Sequence, residues 1–417
     1  MNRKPVLRAL CAAIGFGLAA MAAQAAEVEV LHWWTSGGEA KSVGELKKIM
    51  ESKGDQWKDF AVAGGAGENA MTVLKSRVVS GNPPTAAQVK GPSIQEWGAE
   101  GTLANMDDVA KSEKWDSLLP AVVSNVMKYQ GHYVAVPVNV HRVNWMWVNP
   151  EVFKKAGATV PKTWAEFPAA ADKLQKAGFI AVAHGGQPWQ DLTVFESIVL
   201  GVGGADFYEK TLVKTDQNAL KSPTMEKAFD TLRMVRKYVD KDFSNRDWNL
   251  ATAMVINGKA GMQFMGDWAK GEFIAAGKKA GTDYLCVPAP GTENSYTFNI
   301  DSFIMFTQKS ADAKKGQADL ASAIMSPQFQ EVFNLNKGSI PARLDVKMDK
   351  FDDCGKKSNA DFVATAKKNT LVPSLAHGMA LPEATKGAMQ DVVTQFFNSD
   401  MSSKEAVQKL AAAAKTK

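Results

Sequence analysis

Two adjacent tryptophans, Trp33 and Trp34, stand at the end of a short apolar run and are followed by the small and acidic stretch TSGGE at residues 35–39. Neighbouring side chains of a regular strand point to opposite faces, so both indoles cannot enter one core from a strand. A tryptophan pair alone more often packs in a core. A flat indole beside small polar groups and the Glu39 carboxylate suits a sugar, because the ring covers the apolar C–H face while the carboxylate accepts hydrogen bonds from hydroxyls. We therefore expect the pair to serve partly as packing and partly as a sugar-binding platform.

Polar side chains also lie at the ends of two other apolar segments. Gln88 and Lys90 alternate at the end of QVKGP, which puts both on one face, although a solvent-exposed lysine at a strand end is an equally ordinary explanation. Directly after the strand AGMQFM, the tripeptide Gly266-Asp267-Trp268 can present an acid and an indole from a second wall. The alternative for Asp267 is a plain helix N-cap.

Four further polar residues are candidates because of where they lie. Asn299 and Asp301 flank Ile300 at the start of an apolar strand, where they are either solvated or able to bridge hydroxyls. Lys337 and His377 lie in the loops LNKGSIPAR and SLAHGMA, and loops often carry binding residues.

Motifs of several enzyme classes are missing from the sequence. The five histidines have no metal-ligand spacing, and no GxSxG elbow, phosphate-binding loop or GxGxxG after a strand occurs. We expect no catalytic residue, no metal and no cofactor. Paired acids for glycoside hydrolysis stay open, because any two of the 44 acidic residues can meet in a fold.

Residues 1–25 have a basic start, an apolar stretch and small residues at the end, which is typical of a secretory signal peptide. Its removal takes away Arg3, Lys4 and Arg8 and so lowers the formal net charge by three from +5, to +2. The scattered charge predicts neither a nucleic-acid partner nor a charged membrane surface. Beyond the signal, Cys286 and Cys354 form an even pair that favours a disulfide in an oxidising compartment, with two separate buried thiols as the alternative.

Short apolar runs alternate with helical patterns along the chain, which predicts an α/β fold with largely parallel sheet. The first part reads as β-α-β-α-β, with a helix starting after each strand, and ligands collect at the carboxyl ends of such strands. A mature length of about 390 residues suggests about two domains. The alternating stretch 133–148, the strands near 283–306 and the loop 336–343 are expected to cross between them.

The order of these segments resembles that of solute-binding proteins of bacterial ABC-type sugar importers. WWTSGGE, the long stretch 133–167, NGKAGMQFMGDW and NKGSIPAR follow one another as in the glucose-binding branch of this periplasmic family. The resemblance implies the type II periplasmic binding protein fold, with two lobes, a ligand cleft between them and several hinge crossings. The implied lobes are 26–139 with 289–337, and 140–288 with 338–417. The PKTWAEF segment also resembles maltodextrin-binding branches, so it does not fix the sugar.

The resemblance also implies a set of ligand-binding residues. The stacking aromatics are Trp33, Trp34 and Trp268, and the hydroxyl-binding residues are Glu39, Gln88, Lys90, Asp301, Lys337 and His377, with Asn139 and Asn299 as further candidates. Sugar bridging the two lobes is expected to favour their closed state.

The function implied is that of a monomeric, non-enzymatic periplasmic receptor that binds a monosaccharide, glucose, and delivers it to an inner-membrane ABC permease. An exported carbohydrate-active hydrolase and a receptor for a disaccharide are the alternatives. A polyamine receptor is disfavoured, since such pockets need a surplus of acids and this set contains Lys90 and Lys337.

Overall fold

A computed structural model describes residues 25–416, so the predicted signal peptide, except for its last residue, lies outside the described residues. The amino-terminal part confirms the predicted β-α-β-α-β series. Its elements are β1 (Glu27–His32), α1 (Gly37–Ser52), β2 (Gln56–Ala61), α2 (Glu68–Val79), β3 (Ala86–Val89) and α3 (Pro92–Ala99). Strand β1 pairs in parallel with both β2 and β3, as alternating strands and helices require.

Helical periodicity explains how these helices cover the sheet. In α1 the apolar residues Val43, Leu46 and Met50 are buried and recur at helical spacing, so one face packs inward. The helix ends just before Gly54, which adopts a φ of +86° that favours glycine.

Short helices and strands lead out of this first region. They are α4 (Asp107–Ser112), α5 (Trp115–Leu118), α6 (Ala121–Val126), β4 (Lys128–Tyr129), β5 (His132–Tyr133), β6 (Ala135–Pro137), β7 (Asn139–Arg142) and β8 (Trp145–Val148). The predicted crossing stretch 133–148 is thus a run of short, fully buried strands rather than one long strand.

A second region follows, built mainly of helices around a small sheet. Its elements are α7 (Pro150–Ala156), α8 (Phe167–Lys176), β9 (Ile180–Val182), α9 (Pro188–Tyr208), α10 (Gln217–Leu220), α11 (Pro223–Arg236), α12 (Trp248–Ile256), β10 (Ala260–Phe264) and α13 (Ala269–Ala275). The GVGG segment at residues 201–204 breaks the regular helix inside α9 at Gly204, whose φ is +78°.

The remaining elements return to both regions. They are β11 (Leu285–Pro288), β12 (Tyr296–Asn299), β13 (Ser302–Met305), α14 (Ala311–Met325), α15 (Pro327–Lys337), β14 (Ile340–Pro341), α16 (Asp353–Lys368), β15 (Leu371–Pro373), α17 (Glu383–Phe397) and α18 (Ser403–Ala413).

Apart from β4 and β5, which pair with each other, the described strands form two outer sheets and a middle one. The sheet of the first lobe has the order β2-β1-β3-β13-β6, and that of the second lobe has the order β11-β8-β10-β9. Between them, β14-β7-β12-β15 form a sheet from the predicted crossing segments. The stretch β6-β7-β8 contributes one strand to each of the three sheets, in the order first lobe, middle, second lobe. The stretch β11-β12-β13 does the same in the opposite order.

Each lobe has its own hydrophobic core. One buried cluster includes Val30, Phe303 and Phe333 around the first sheet, and another includes Phe195, Phe229 and Phe264 around the second. The observed architecture is therefore the predicted α/β fold with two lobes, whereas the exact residue limits of the lobes stay a prediction.

Cys286 of β11 and Cys354 of α16 form a disulfide with a Cα–Cα distance of 6.0 Å. The pairing of these two cysteines is thus as predicted, and the bond links β11 to the first turn of α16. Among residues 25–416, no helix combines the length and the apolar character that a membrane crossing needs.

Candidate functional site

A cavity of about 330 Å³ opens between the two lobes. Most of its lining residues lie in segments that follow strands or begin helices, which is where α/β sheets place ligands. The aromatic part of the lining comprises five indoles, those of Trp33, Trp34, Trp189, Trp248 and Trp268. Aromatic walls with a few polar groups are typical of small-molecule sites.

Trp33 and Trp34 reach the cavity because β1 ends at His32, one residue before the pair. The chain is no longer a regular strand there, so both side chains can serve one site. Trp34 is buried, with its ring 5.5 Å from that of Phe303 and nearly perpendicular to it. Trp33 is partly exposed, and the Lys90 ammonium lies 5.0 Å from its ring centre. As expected, the pair thus combines core packing with lining of the cavity.

A buried ion pair forms the next part of the first-lobe wall. Lys337, the last residue of α15, donates through Nζ to Oε1 of Glu39, in the first turn of α1. Only 3% of Lys337 and 8% of Glu39 are exposed. The Lys337 ammonium also lies 5.9 Å from the ring centre of Trp34. The two charges compensate each other while both residues still line the cavity.

The floor of the cavity is a hydrogen-bonded network centred on His141 of β7. Nδ1 of this imidazole contacts Asp267 Oδ1, and Nε2 contacts Asp301 Oδ2 at 2.9 Å. Burial opposes the charged imidazole, but the two carboxylates raise the pKa of His141. Burial likewise opposes the charged Asp301, and the contact with His141 lowers the pKa of that carboxyl group. A protonated His141 therefore joins Asp267, which follows β10 of the second lobe, to Asp301, which precedes β13 of the first.

Trp268 and His377 form part of the second-lobe wall. The ring centre of Trp268 lies 4.7 Å from that of His377 and 5.2 Å from that of His141. Trp268 is 6% exposed and faces the same cavity as Trp33 and Trp34. The predicted meeting of indoles from two walls is therefore present in the structure.

The expectations for Asp267 were wrong. Its carboxylate contacts His141 Nδ1 and accepts a hydrogen bond from the Arg142 main-chain N–H at 2.8 Å. It therefore neither lines the cavity nor caps α13, whose first turn is bonded to the main-chain oxygen of Asp267 instead. The cause is that β7, on which His141 and Arg142 lie, passes directly behind the end of β10.

Most of the residues proposed from the sequence lie together around the cavity. Those in its lining are Trp33, Trp34, Glu39, Lys90, Trp268, Asn299, Asp301, Lys337 and His377. Gln88 and Asn139 are instead fully buried behind the wall. Their amide groups donate to the Asp301 carboxylate, at 3.3 Å and 3.2 Å respectively, so they hold Asp301 rather than face the cavity.

Several lining residues were missed by the sequence reasoning. Trp189 follows Gln187 and Pro188 at the start of α9, and Trp248 follows Asp247 at the start of α12. The signal that could have found them is the one applied to Trp268, an indole at a helix start beside a polar residue.

Two buried polar atoms in the lining have no hydrogen-bond partner within residues 25–416, namely Ser36 Oγ and Asn299 Oδ1. Among the same described residues, the Lys90 ammonium has no hydrogen-bond or ion-pair partner; it lies half-buried beside the Trp33 ring. Burial lowers the pKa of Lys90 to about 8. Because unpaired buried polar groups are costly, these atoms are suited to a polar ligand. No group of three or more metal-ligating side chains occurs among the described residues.

Sequence comparison relates the chain to known proteins. Residues 46–323 match the family described as bacterial extracellular solute-binding protein. A protein of Rhizobium meliloti (strain 1021) named "Probable sugar-binding periplasmic protein" is 53% identical over 95% of this chain and 95% of its own length. One of the same name from Brucella suis biovar 1 (strain 1330) is 52% identical over 97% of this chain and 96% of its own.

Comparison with solved structures identifies a protein of the same fold. The solved structure of a chitin oligosaccharide binding protein superimposes with a TM-score of 0.79 over 94% of this chain and 98% of its own, at 17% identity. This match confirms the predicted two-lobed fold.

Proposed function

Since the chain belongs to the bacterial extracellular solute-binding protein family, we propose that it is a periplasmic receptor that binds a monosaccharide, glucose, and delivers it to an inner-membrane ABC permease. The observation that carries the proposal is the cavity between the lobes. There, indoles of both lobes surround polar atoms that have no hydrogen-bond partner among the residues the structure describes. The names of the Rhizobium and Brucella relatives, which describe sugar-binding periplasmic proteins, support a sugar as the ligand and the periplasm as the location.

The charges of the lining favour an uncharged ligand. The Glu39 carboxylate is paired with Lys337, and the Asp301 carboxylate is paired with His141. Each sugar hydroxyl both donates and accepts a hydrogen bond, so carboxylate oxygens and the Lys90 ammonium can bind one ring together. A charged ligand would leave a net charge in the cavity, because the acids Glu39, Asp247 and Asp301 of the lining are matched in number by Lys90, Lys337 and the protonated His141.

The size of the cavity favours a single sugar ring. Ligand pockets span about 300–1,000 Å³, and the present one, at about 330 Å³, lies at the lower end of that range. An epimer with one inverted hydroxyl leaves a buried polar group unpaired, which costs roughly 1–3 kcal/mol.

Contacts between the lobes support a mechanism by closure. Gln390 of α17 donates to Glu68 of α2 at 3.0 Å, and the Gly38 N–H of α1 donates to Glu272 of α13 at 2.9 Å. These contacts hold the two walls together beside the cavity. A sugar that touches Trp33 in one lobe and Trp268 in the other binds the closed state more tightly than the open state. Only such a difference in affinity shifts the equilibrium between the two states.

The cavity offers little support for the alternative of a glycoside hydrolase. A general acid of that chemistry needs a carboxyl group with a raised pKa, whereas the contact with His141 lowers the pKa of Asp301. Of the other two acids in the lining, Glu39 is paired with Lys337, and Asp247 accepts a hydrogen bond from Gln187 at 2.6 Å.

Native mass spectrometry of the protein purified from its own compartment tests the proposal. We expect a bound molecule with the mass of a hexose, and after incubation with labelled glucose we expect the label to be recovered unchanged. A bound disaccharide would correct the substrate, and a labelled reaction product would refute a purely receptor function.

A further inference from the structure

A buried carboxylate outside the cavity, that of Glu196 on α9, organises a loop of the second lobe. Glu196 has no exposed surface, and it accepts hydrogen bonds from four donors. Tyr208 Oη and the Leu375 N–H donate to Oε2 at 2.8 Å each, and the Ala376 N–H donates to the same oxygen at 3.2 Å. Ser374 Oγ donates to Oε1 at 2.7 Å. A side-chain carboxylate thus occupies a nest of main-chain N–H groups that elsewhere binds anions.

The loop held by this carboxylate runs from Ser374 to Gly378 and carries His377 into the lining of the cavity. The Ser374 hydroxyl, which donates to Glu196, also accepts the His377 N–H at 3.1 Å. Beyond His377, Gly378 approaches the first lobe so closely that a Cβ on Gly91 would lie 2.2 Å from its carbonyl oxygen. The loop conformation therefore sets the position of His377 and of one contact between the lobes.

A second residue of α9 fixes the imidazole itself. Thr193 Oγ1 donates its single proton to the Trp189 carbonyl at 2.8 Å and lies 3.1 Å from His377 Nε2. Nε2 must then be the protonated nitrogen that donates to Thr193. Burial and the nearby Lys90 keep the pKa of His377 well below its usual value, so the ring is neutral and Nδ1 is an acceptor. An acceptor in the cavity lining is what a sugar hydroxyl proton requires.

We propose that Glu196 is a positioning residue for sugar recognition: its carboxylate holds the 374–378 loop so that His377 presents an acceptor to a sugar hydroxyl. The inference rests on the proposed function, because it assumes a sugar in the cavity. Glu196 touches the main chain of the loop rather than the ligand, and its effect on binding passes through His377.

The charge of Glu196 matters because its four partners are all donors. Burial raises the pKa of Glu196 to about 7, while Ser374, Tyr208 and the two main-chain N–H groups each favour the ionised form. Replacement of the carboxylate by an amide turns one oxygen into an NH₂ group. That group faces other donors, so at least one N–H of the loop loses its acceptor.

The test compares E196Q with the control variant S197A by titration calorimetry with glucose. Ser197 is the next residue of α9, and within residues 25–416 its hydroxyl bonds only to the Thr193 carbonyl of its own helix. S197A therefore changes a buried polar group without touching the loop. We expect the dissociation constant to rise about tenfold in E196Q, as loss of a buried hydrogen bond predicts, and to change less than about twofold in S197A. An unchanged affinity of E196Q would overturn the inference.

A double-mutant cycle separates positioning from general destabilisation. In the H377A variant, adding E196Q should raise the dissociation constant for glucose less than about twofold, because His377, the residue that Glu196 positions, is absent. Independent, multiplicative effects of the two substitutions would refute the role proposed for Glu196. Should E196Q fail to fold, Y208F, which removes one of the four donors, takes its place in the same cycle with an expected weakening of about threefold.

A spectroscopic measurement tests the inference without any sugar. Imidazole ¹H–¹⁵N spectra of wild-type protein should show His377 as a neutral ring protonated at Nε2, and E196Q should lose this single tautomer whereas S197A keeps it. If wild type binds no sugar but shows this difference, the proposed function fails and the positioning role stands. If wild type binds glucose and E196Q keeps the His377 signal, the positioning role fails alone.

Discussion

Removal of Lys337 tests whether its ion pair with Glu39 belongs to both the fold and the site. The variant K337M keeps the length of the apolar stem but leaves the Glu39 carboxylate, 8% exposed, without its cation. The other contact of that carboxylate is weak, since the Ser36 N–H lies 3.5 Å from Oε2. Breaking a buried pair on one side costs about 3–5 kcal/mol. For a lobe of this size, 3 kcal/mol corresponds to a fall in Tm of roughly 6–12 °C.

The double variant E39Q/K337M separates stability from recognition. With both charges removed, no buried carboxylate is left unpaired, so the free energy of unfolding should return most of the way to the wild-type value. Glucose binding should not return, because both polar partners of the sugar are missing. Differential scanning calorimetry gives the Tm of the three proteins, and isothermal titration calorimetry gives their glucose affinities.

Two results would refute this reasoning. A double variant as unstable as K337M would mean that the lost stability does not come from an unpaired Glu39. Wild-type glucose affinity in K337M would mean that the pair, although it lines the cavity, makes no contact with the ligand.

Three further predictions follow from the site and the fold. W268A should weaken glucose binding at least tenfold, because the variant lacks the indole ring on one wall of the cavity, while circular dichroism should still report a folded protein. An unchanged calorimetric affinity would contradict stacking of the sugar on this ring. Because burial lowers the pKa of Lys90 to about 8, its ammonium is lost as pH rises through that value. Above pH 8, where Glu196 with its pKa of about 7 is already ionised, glucose affinity should fall with rising pH in wild type and stay level in K90M. The two cysteines of the disulfide are 68 positions apart, so the free energy of unfolding of C286A/C354A, measured by urea denaturation, should be lower by about 4 kcal/mol. This variant should bind glucose normally, because neither cysteine lines the cavity.

Local sequence patterns predict the parts of the fold that depend on near neighbours. The β-α-β-α-β start follows from alternating apolar runs and helical spacing, such as that of Val43, Leu46 and Met50 in α1. The same local reasoning places at least one of Trp33 and Trp34 where the strand ends, because two adjacent indoles cannot share one face of a regular strand.

Pairings between distant residues could not be predicted in this way. His141 and Asp267 are 126 positions apart, so nothing near either residue indicates that they meet behind the cavity. Gln88 was expected at the surface of the site because it alternates with Lys90. It is covered because β13 pairs beside the end of β3 and brings Asp301 over it. Spacing along one strand defines a face, but the strand that packs next to it decides what that face touches.

The central claim is that side chains of both lobes close around one uncharged sugar ring, and a crystal structure of the protein grown with glucose tests it most directly. We predict one hexose in the cavity, with its ring against Trp268 of one wall and its hydroxyls on Lys90, Asp301 and the pair of Glu39 with Lys337. A cavity without sugar at saturating glucose, or a ring bound elsewhere on the protein, would contradict the account.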